Sequence, residues 1–142
     1  MFKFFRTLFG QAQTIANLDS DEFRLGVPHV WTEAHHTDDG GSFQRMRLGD
    51  DNVVFLSVGI ATVKVFVTPL QLTNQTEFKE VREFALTNGL ERHAMMTPAE
   101  RYADDLLLLD HLRRAIAWPT SVHELSDTLN RMDDTLQTDA NA

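Results

Sequence analysis

Apolar and polar positions alternate along the first half of the chain in the pattern of strands. Short apolar runs separated by turn residues predict four strands, at 27–36, 43–48, 53–58 and 63–68. Asp, Asn and Gly fill the intervening positions, which is typical of tight turns. Strands joined by such short turns predict an antiparallel meander.

The run at 63–68 divides its side chains between two faces of the predicted sheet. Val63, Val65 and Val67 fall on one face, while Lys64 and Phe66 fall on the other. An aromatic side chain on the more polar face is a candidate contact for another protein. Phe66, with Lys64 beside it, is therefore predicted to bind a partner.

Apolar residues at helical spacing predict an amphipathic helix at 1–18. A single domain is predicted at 19–137, and the polar residues 138–142 predict a disordered tail. The helix either docks on the domain or inserts its phenylalanines into a partner or a membrane interface. Only Lys3 and Arg6 are available to attract anionic lipid, which favours protein over membrane. Its candidate contacts are Phe4, Phe5 and Phe9.

Capping boxes predict two helices in the second half. The sequence at 74–77 predicts a helix that runs to Asn88, with Gly89 supplying a left-handed residue at its end. The sequence at 121–124 predicts a last helix whose apolar stripe continues to Leu136.

The stretch between these helices has two interpretations. A Thr97 cap, with proline and glutamate following it, predicts one helix over 98–117. Alternatively, 92–102 and 106–116 form a hairpin that turns at Asp104 and Asp105. In that hairpin Met95 and Met96 lie on opposite faces, one as core filling and the other as an adaptable contact. Composition does not choose between the two structures.

Three segments resemble the YbjN-type family of sensory transduction regulator domains: VVFLSVGIATVKVFV, FKEVREFALTNG and DDLLLLDHLRRAIAWPTSVHELSDTL. The resemblance implies a type III secretion chaperone-like α+β fold, with a four-strand antiparallel meander, a later hairpin, and helices packed on one face. It therefore favours the hairpin over 92–116. It also implies dimerisation and the binding of partner segments, and it brings no catalytic residues.

Composition narrows the classes of function. The chain has 142 residues, and its 13 Lys+Arg against 21 Asp+Glu give a net charge of −8, which disfavours general binding to nucleic acid. The absence of cysteine excludes disulfides and thiolate chemistry and fits a cytoplasmic location. No apolar run approaches the ~20 residues that span a bilayer.

The histidines and carboxylates give one candidate for metal chemistry. His35, His36 and Asp38 carry ligands that suit a divalent metal, but neighbouring strand residues point to opposite faces. The paired aspartates 104–105 are expected in a turn. We therefore expect a non-enzymatic protein-interaction or regulatory module without a cofactor. The alternatives are a metal-binding protein or enzyme using His35, His36 and Asp38, and an immunity or antitoxin-like protein that caps a basic site.

Overall fold

A computed structural model describes residues 30–37, 40–49, 51–69 and 78–137. Several predictions lie outside the described residues. They concern the helix at 1–18 with Phe4, Phe5 and Phe9, the metal-ligand candidate Asp38, the capping box at 74–77 and the tail at 138–142.

The described residues form an α+β fold, as predicted. The strands are β1 (His35–His36), β2 (Ser42–Leu48), β3 (Asn52–Val58), β4 (Thr62–Pro69), β5 (Lys79–Leu86) and β6 (Thr135–Leu136). The helices are α1 (Gly89–Met95), α2 (Pro98–Ile116) and α3 (Val122–Asn130). The six strands form one sheet in sequence order, antiparallel from β1 to β5, and β6 joins β5 in parallel. The predicted meander is confirmed, although the regular part of its first strand is only two residues long, with an isolated bridge at Trp31.

One face of the sheet and the helices enclose the main core. Val63, Val65 and Val67 lie on this face, as their alternation predicts, and pack with Leu109 and Leu125 in one buried cluster. Burial of this apolar surface is the main force that holds helices against the sheet. Of the described helices, none is long and apolar enough to cross a membrane.

The opposite face of the sheet carries a chain of aromatic rings. The Phe43 and Phe55 centroids are 6.2 Å apart, Phe55 lies 5.1 Å from Phe78, and Phe66 lies 5.9 Å from Phe78. Phe66 is only 4% exposed. The prediction that Phe66 is exposed is wrong, because alternation assigns a side chain to a face but does not show whether that face is covered. Its contact with a partner stays a prediction.

The prediction of a helix running to Asn88 is wrong for the residues that the structure describes, since Lys79–Leu86 is strand β5. Pairing with β4 overrides the helical preference of this segment, and Lys64 on β4 forms ion pairs with Glu80 and Glu83 on β5 at 3.4 and 3.5 Å. Asn88, with φ of 54°, is the left-handed residue, and Gly89 begins α1 instead of ending a helix. A Cβ at Gly89 would lie 2.6 Å from the Ile60 carbonyl oxygen, so only glycine fits there.

The hairpin expected over 92–116 is also wrong, because 98–116 forms the continuous helix α2. The Thr97 hydroxyl accepts from the Glu100 N–H, and the Glu100 carboxylate accepts from the Thr97 N–H. This complete capping box supports the local prediction of one helix, which is confirmed. The resemblance led to the wrong alternative here.

The last helix is shorter than its apolar stripe predicts. The Ser121 hydroxyl caps α3 by accepting from the Glu124 N–H, as expected, but α3 ends at Asn130. Leu136 belongs to β6, where its carbonyl accepts from the Thr87 N–H at 2.9 Å. A leucine at helical spacing therefore reaches the same core from a strand.

Candidate functional site

A buried cluster of charges joins α1 to α2. The guanidinium of Arg92 on α1 forms ion pairs with the carboxylates of Asp104 and Asp105 on α2. All three residues are 3% exposed. We call Arg92, Asp104 and Asp105 the arginine clamp. The aspartates, expected in a hairpin turn, instead neutralise a buried cation in the middle of the helical layer.

Hydrogen bonds extend the arginine clamp to the edge of the sheet. The Ser42 hydroxyl on β2 donates to Asp105 Oδ2 at 2.5 Å, and the same hydroxyl oxygen lies 2.6 Å from His36 Nδ1 on β1. The Tyr102 ring of α2 contacts the His36 ring edge-on. Helices α1 and α2 are therefore fixed to β1 and β2 by polar contacts as well as by apolar packing.

Burial shifts the pKa values of Asp105 and His36, the two titratable side chains on either side of Ser42. It raises the pKa of Asp105, against the opposing effects of the Ser42 hydrogen bond and the Arg92 charge. Burial also lowers the pKa of His36, against the opposing effects of the Asp105 charge and a backbone hydrogen bond with Gly41. Both shifts favour the neutral form of the side chain.

The order of groups in the network differs from that of a nucleophilic triad. In such a triad the histidine lies between the hydroxyl and the carboxylate and removes the hydroxyl proton. Here Ser42 lies between His36 and Asp105, its hydroxyl donates to the carboxylate, and its residue is 0% exposed. This arrangement holds the elements together, and its burial gives the Ser42 hydroxyl no access to a substrate.

The two histidines of the proposed metal site lie on opposite sides of the sheet. His35 stacks on Phe43 with ring centroids 5.5 Å apart, while His36 faces Ser42. The two imidazoles therefore do not converge on one ion. Within 30–37, 40–49, 51–69 and 78–137, no group of three or more potential metal ligands is present.

Exposed apolar side chains concentrate on the helices that the arginine clamp holds. Leu90 and Met95 on α1 are 71% and 83% exposed, and Leu107 on α2 is 53% exposed. Tyr102 and Leu106 on α2 are each 38% exposed. We call these five residues the helical apolar surface.

The two sequence-predicted contacts within the described residues, Lys64 and Phe66, do not belong to this surface. Lys64 pairs with β5 and its side chain is 17% exposed, and Phe66 is buried. Met95, one of two methionines considered as an adaptable contact, is the exposed one, although it lies in a helix and not in a strand.

The predictions from the sequence do not include the arginine clamp, although the position of one aspartate indicates it. Once 98–117 is taken as a helix, Asp105 lies on the same stripe as Leu108, Leu109 and Leu112. A carboxylate on a buried stripe requires a cation. The sequence does not show that Arg92 is that cation, because only the tertiary fold brings α1 against α2.

Comparisons of the chain with family models, with curated proteins and with solved structures found no match. The resemblance to the YbjN-type family therefore stays a prediction.

Proposed function

We propose that this protein is a non-enzymatic interaction module that binds a partner protein through its helical apolar surface. The observation that carries the proposal is the location of exposed apolar side chains. Five of the seven large ones found in the described part of the chain belong to α1 and α2. Single exposed apolar residues are ordinary, whereas five of them on two helices joined by buried ion pairs make those helices the best candidate for a partner contact.

The arginine clamp supports this proposal because its buried ion pairs connect α1 to α2. A surface that is already ordered loses little conformational entropy when a partner binds. Met95 adds a flexible side chain that adapts to the shape of a partner. A chaperone-like dimer in the cytoplasm, which the resemblance and the cysteine-free composition suggested, belongs to the same proposal.

The test is a comparison of affinity captures from lysate. We expect the wild-type protein to capture a defined partner, and the variant Leu90→Ser/Met95→Ser/Leu107→Ser to lose it. The matched control, His123→Ser/Asp127→Ser/Asn130→Ser, changes three exposed residues of α3 and should retain the partner. Light scattering on the same three proteins identifies the case in which the partner is a second copy. Identical captures and masses for all three proteins would contradict the proposal.

A further inference from the structure

Both tryptophans of the chain line one open groove at the end of α2. Trp31 comes from the sheet edge, where it bridges to Met46 of β2, and Trp118 follows the last turn of α2. The groove has a volume of about 400 Å³. Within the part of the chain that the structure describes, its lining consists of Trp31, Arg113, Arg114, Ala117 and Trp118, which we call the tryptophan–arginine groove.

The described lining of the groove carries a local surplus of positive charge on an acidic chain. Arg113 Nη2 lies 3.0 Å from Asp110 Oδ1, and Arg114 Nε lies 3.0 Å from Asp110 Oδ2. One carboxylate thus faces two guanidinium groups, which leaves one positive charge in a protein of net charge −8. The Arg114 side chain is 80% exposed, so its remaining N–H donors are accessible to a ligand.

The backbone between α2 and Trp118 is strained. Ala117 has φ of 57° and ψ of −120°, a conformation that glycine adopts readily and alanine does not. Such conformations persist where the surrounding structure enforces them, and they concentrate at functional sites. At this turn the chain leaves the helix with Trp118 76% exposed and Pro119 buried. A large indole held outward is typical of a binding contact.

We propose that the tryptophan–arginine groove binds a short acidic segment of a partner protein in which an aromatic residue stands next to a carboxylate. This inference rests on the proposed function and adds a second contact to it. The indoles provide flat apolar faces for the aromatic ring. The guanidinium groups donate paired hydrogen bonds to the carboxylate, which their planar geometry matches.

The position of the groove favours a carboxylate-bearing peptide over a nucleotide, although both combine a planar group with an anion. The groove lies at the C-terminal end of α2, where helix carbonyl groups carry partial negative charge. Phosphate sites instead use helix N-termini, whose N–H groups point at the anion. A doubly charged phosphate is therefore opposed more strongly here than a single carboxylate.

Tryptophan fluorescence tests the proposal directly, since both indoles belong to the groove. The probe is the tryptophan-free peptide acetyl-Gly-Gly-Phe-Glu-Gly-Gly-amide, titrated into the full chain. We expect a saturable blue shift of the emission. The matched peptide with Gln in place of Glu should bind at least about tenfold more weakly.

Paired variants with equal charge change show whether the arginines act locally. Arg113→Gln/Arg114→Gln should weaken peptide binding by about tenfold or more. Lys79→Gln/Arg131→Gln removes two exposed cations outside the groove and should bind as the wild type does.

Three results would overturn the groove proposal: equal binding of the neutral peptide, tighter binding of adenosine monophosphate than of the acidic peptide, or no emission change up to about 1 mM peptide. Its failure is distinguishable from failure of the proposed function. If capture depends on the helical apolar surface but the peptide does not bind, the groove proposal alone is contradicted. If the peptide binds but the variant of the helical apolar surface captures the same partner as the wild type, the proposed function is contradicted instead.

Discussion

At the scale of single residues, the backbone strain at Ala117 gives the simplest prediction. Ala117→Gly should raise the free energy of unfolding by about 1 kcal/mol, because glycine adopts a φ of 57° without the Cβ clash of alanine. The loss of chain entropy on folding offsets part of the gain. Urea denaturation of both proteins measures the difference.

The control is the same alanine-to-glycine substitution at Ala115, two residues before Ala117. Ala115→Gly lies inside α2, where glycine should lower the free energy of unfolding by about 0.5–1 kcal/mol. Opposite signs for the two variants are the expected result. A loss of stability in both would show that the Ala117 backbone is not strained.

At the scale of elements, the arginine clamp fixes α1 to α2. Arg92→Met should lower the free energy of unfolding by about 3–5 kcal/mol, since it removes the cation that pairs with the buried carboxylates of Asp104 and Asp105. The midpoint of urea denaturation measures this loss.

Two further variants separate the lost charge from the lost side chain. Arg131→Met, at an exposed arginine after α3, should change stability by less than about 0.5 kcal/mol. Arg92→Met/Asp104→Asn/Asp105→Asn should recover part of the loss, because neutral amides cost less to bury than carboxylates that have lost the Arg92 cation. A loss below about 1 kcal/mol in Arg92→Met alone would contradict the role given to the clamp.

Elements differ in how far the sequence alone predicts them. Strands β2, β3 and β4 are predictable because turn residues and apolar runs mark both ends of each. Helix α2 is predictable from the Thr97 capping box, which is a local signal. Strand β5 is not, because its residues suit a helix and only pairing with β4 makes them a strand.

The candidate sites depend on contacts that the sequence does not reveal. Arg92 on α1 pairs with Asp104 on α2. Trp31 lines the same groove as the end of α2, although the two are far apart in the sequence. The side-chain pattern of β4 gave the correct faces but could not show that Phe66 is covered. Face assignment follows from local geometry, whereas exposure is a property of the complete fold.

At the scale of the whole molecule, the polar network makes global stability depend on pH through His36. Its pKa is lower in the folded chain than its ordinary value near 6.5. Well above pH 6.5 the imidazole is neutral in both states, and its contribution to stability is fully present. As pH falls below that value the unfolded chain takes up a proton that the folded chain resists, so stability is lost until the folded-state pKa is passed.

The groups around His36 determine how this effect is isolated. Asp105 faces it through Ser42, His35 is its neighbour on β1, and the Tyr102 ring contacts it from α2. The raised pKa of Asp105 changes stability with pH in the opposite direction. The contribution of Asp105 to stability is present below its unfolded-state pKa and is lost as pH rises through its folded-state pKa. A comparison at one pH cannot separate the two groups.

The measurement is therefore a difference of differences. Between about pH 7.5 and pH 5.5, the thermal midpoint of the wild type should fall more than that of His36→Gln, whose amide can still hydrogen-bond to Ser42 but does not titrate. His111→Gln, at an exposed histidine of α2 outside the network, should fall as the wild type does. Equal slopes for the wild type and His36→Gln would mean that His36 protonates as readily in the folded protein as in the unfolded chain. The hydrogen-bonded connection from β1 to α2 would then not govern the acid response of the molecule.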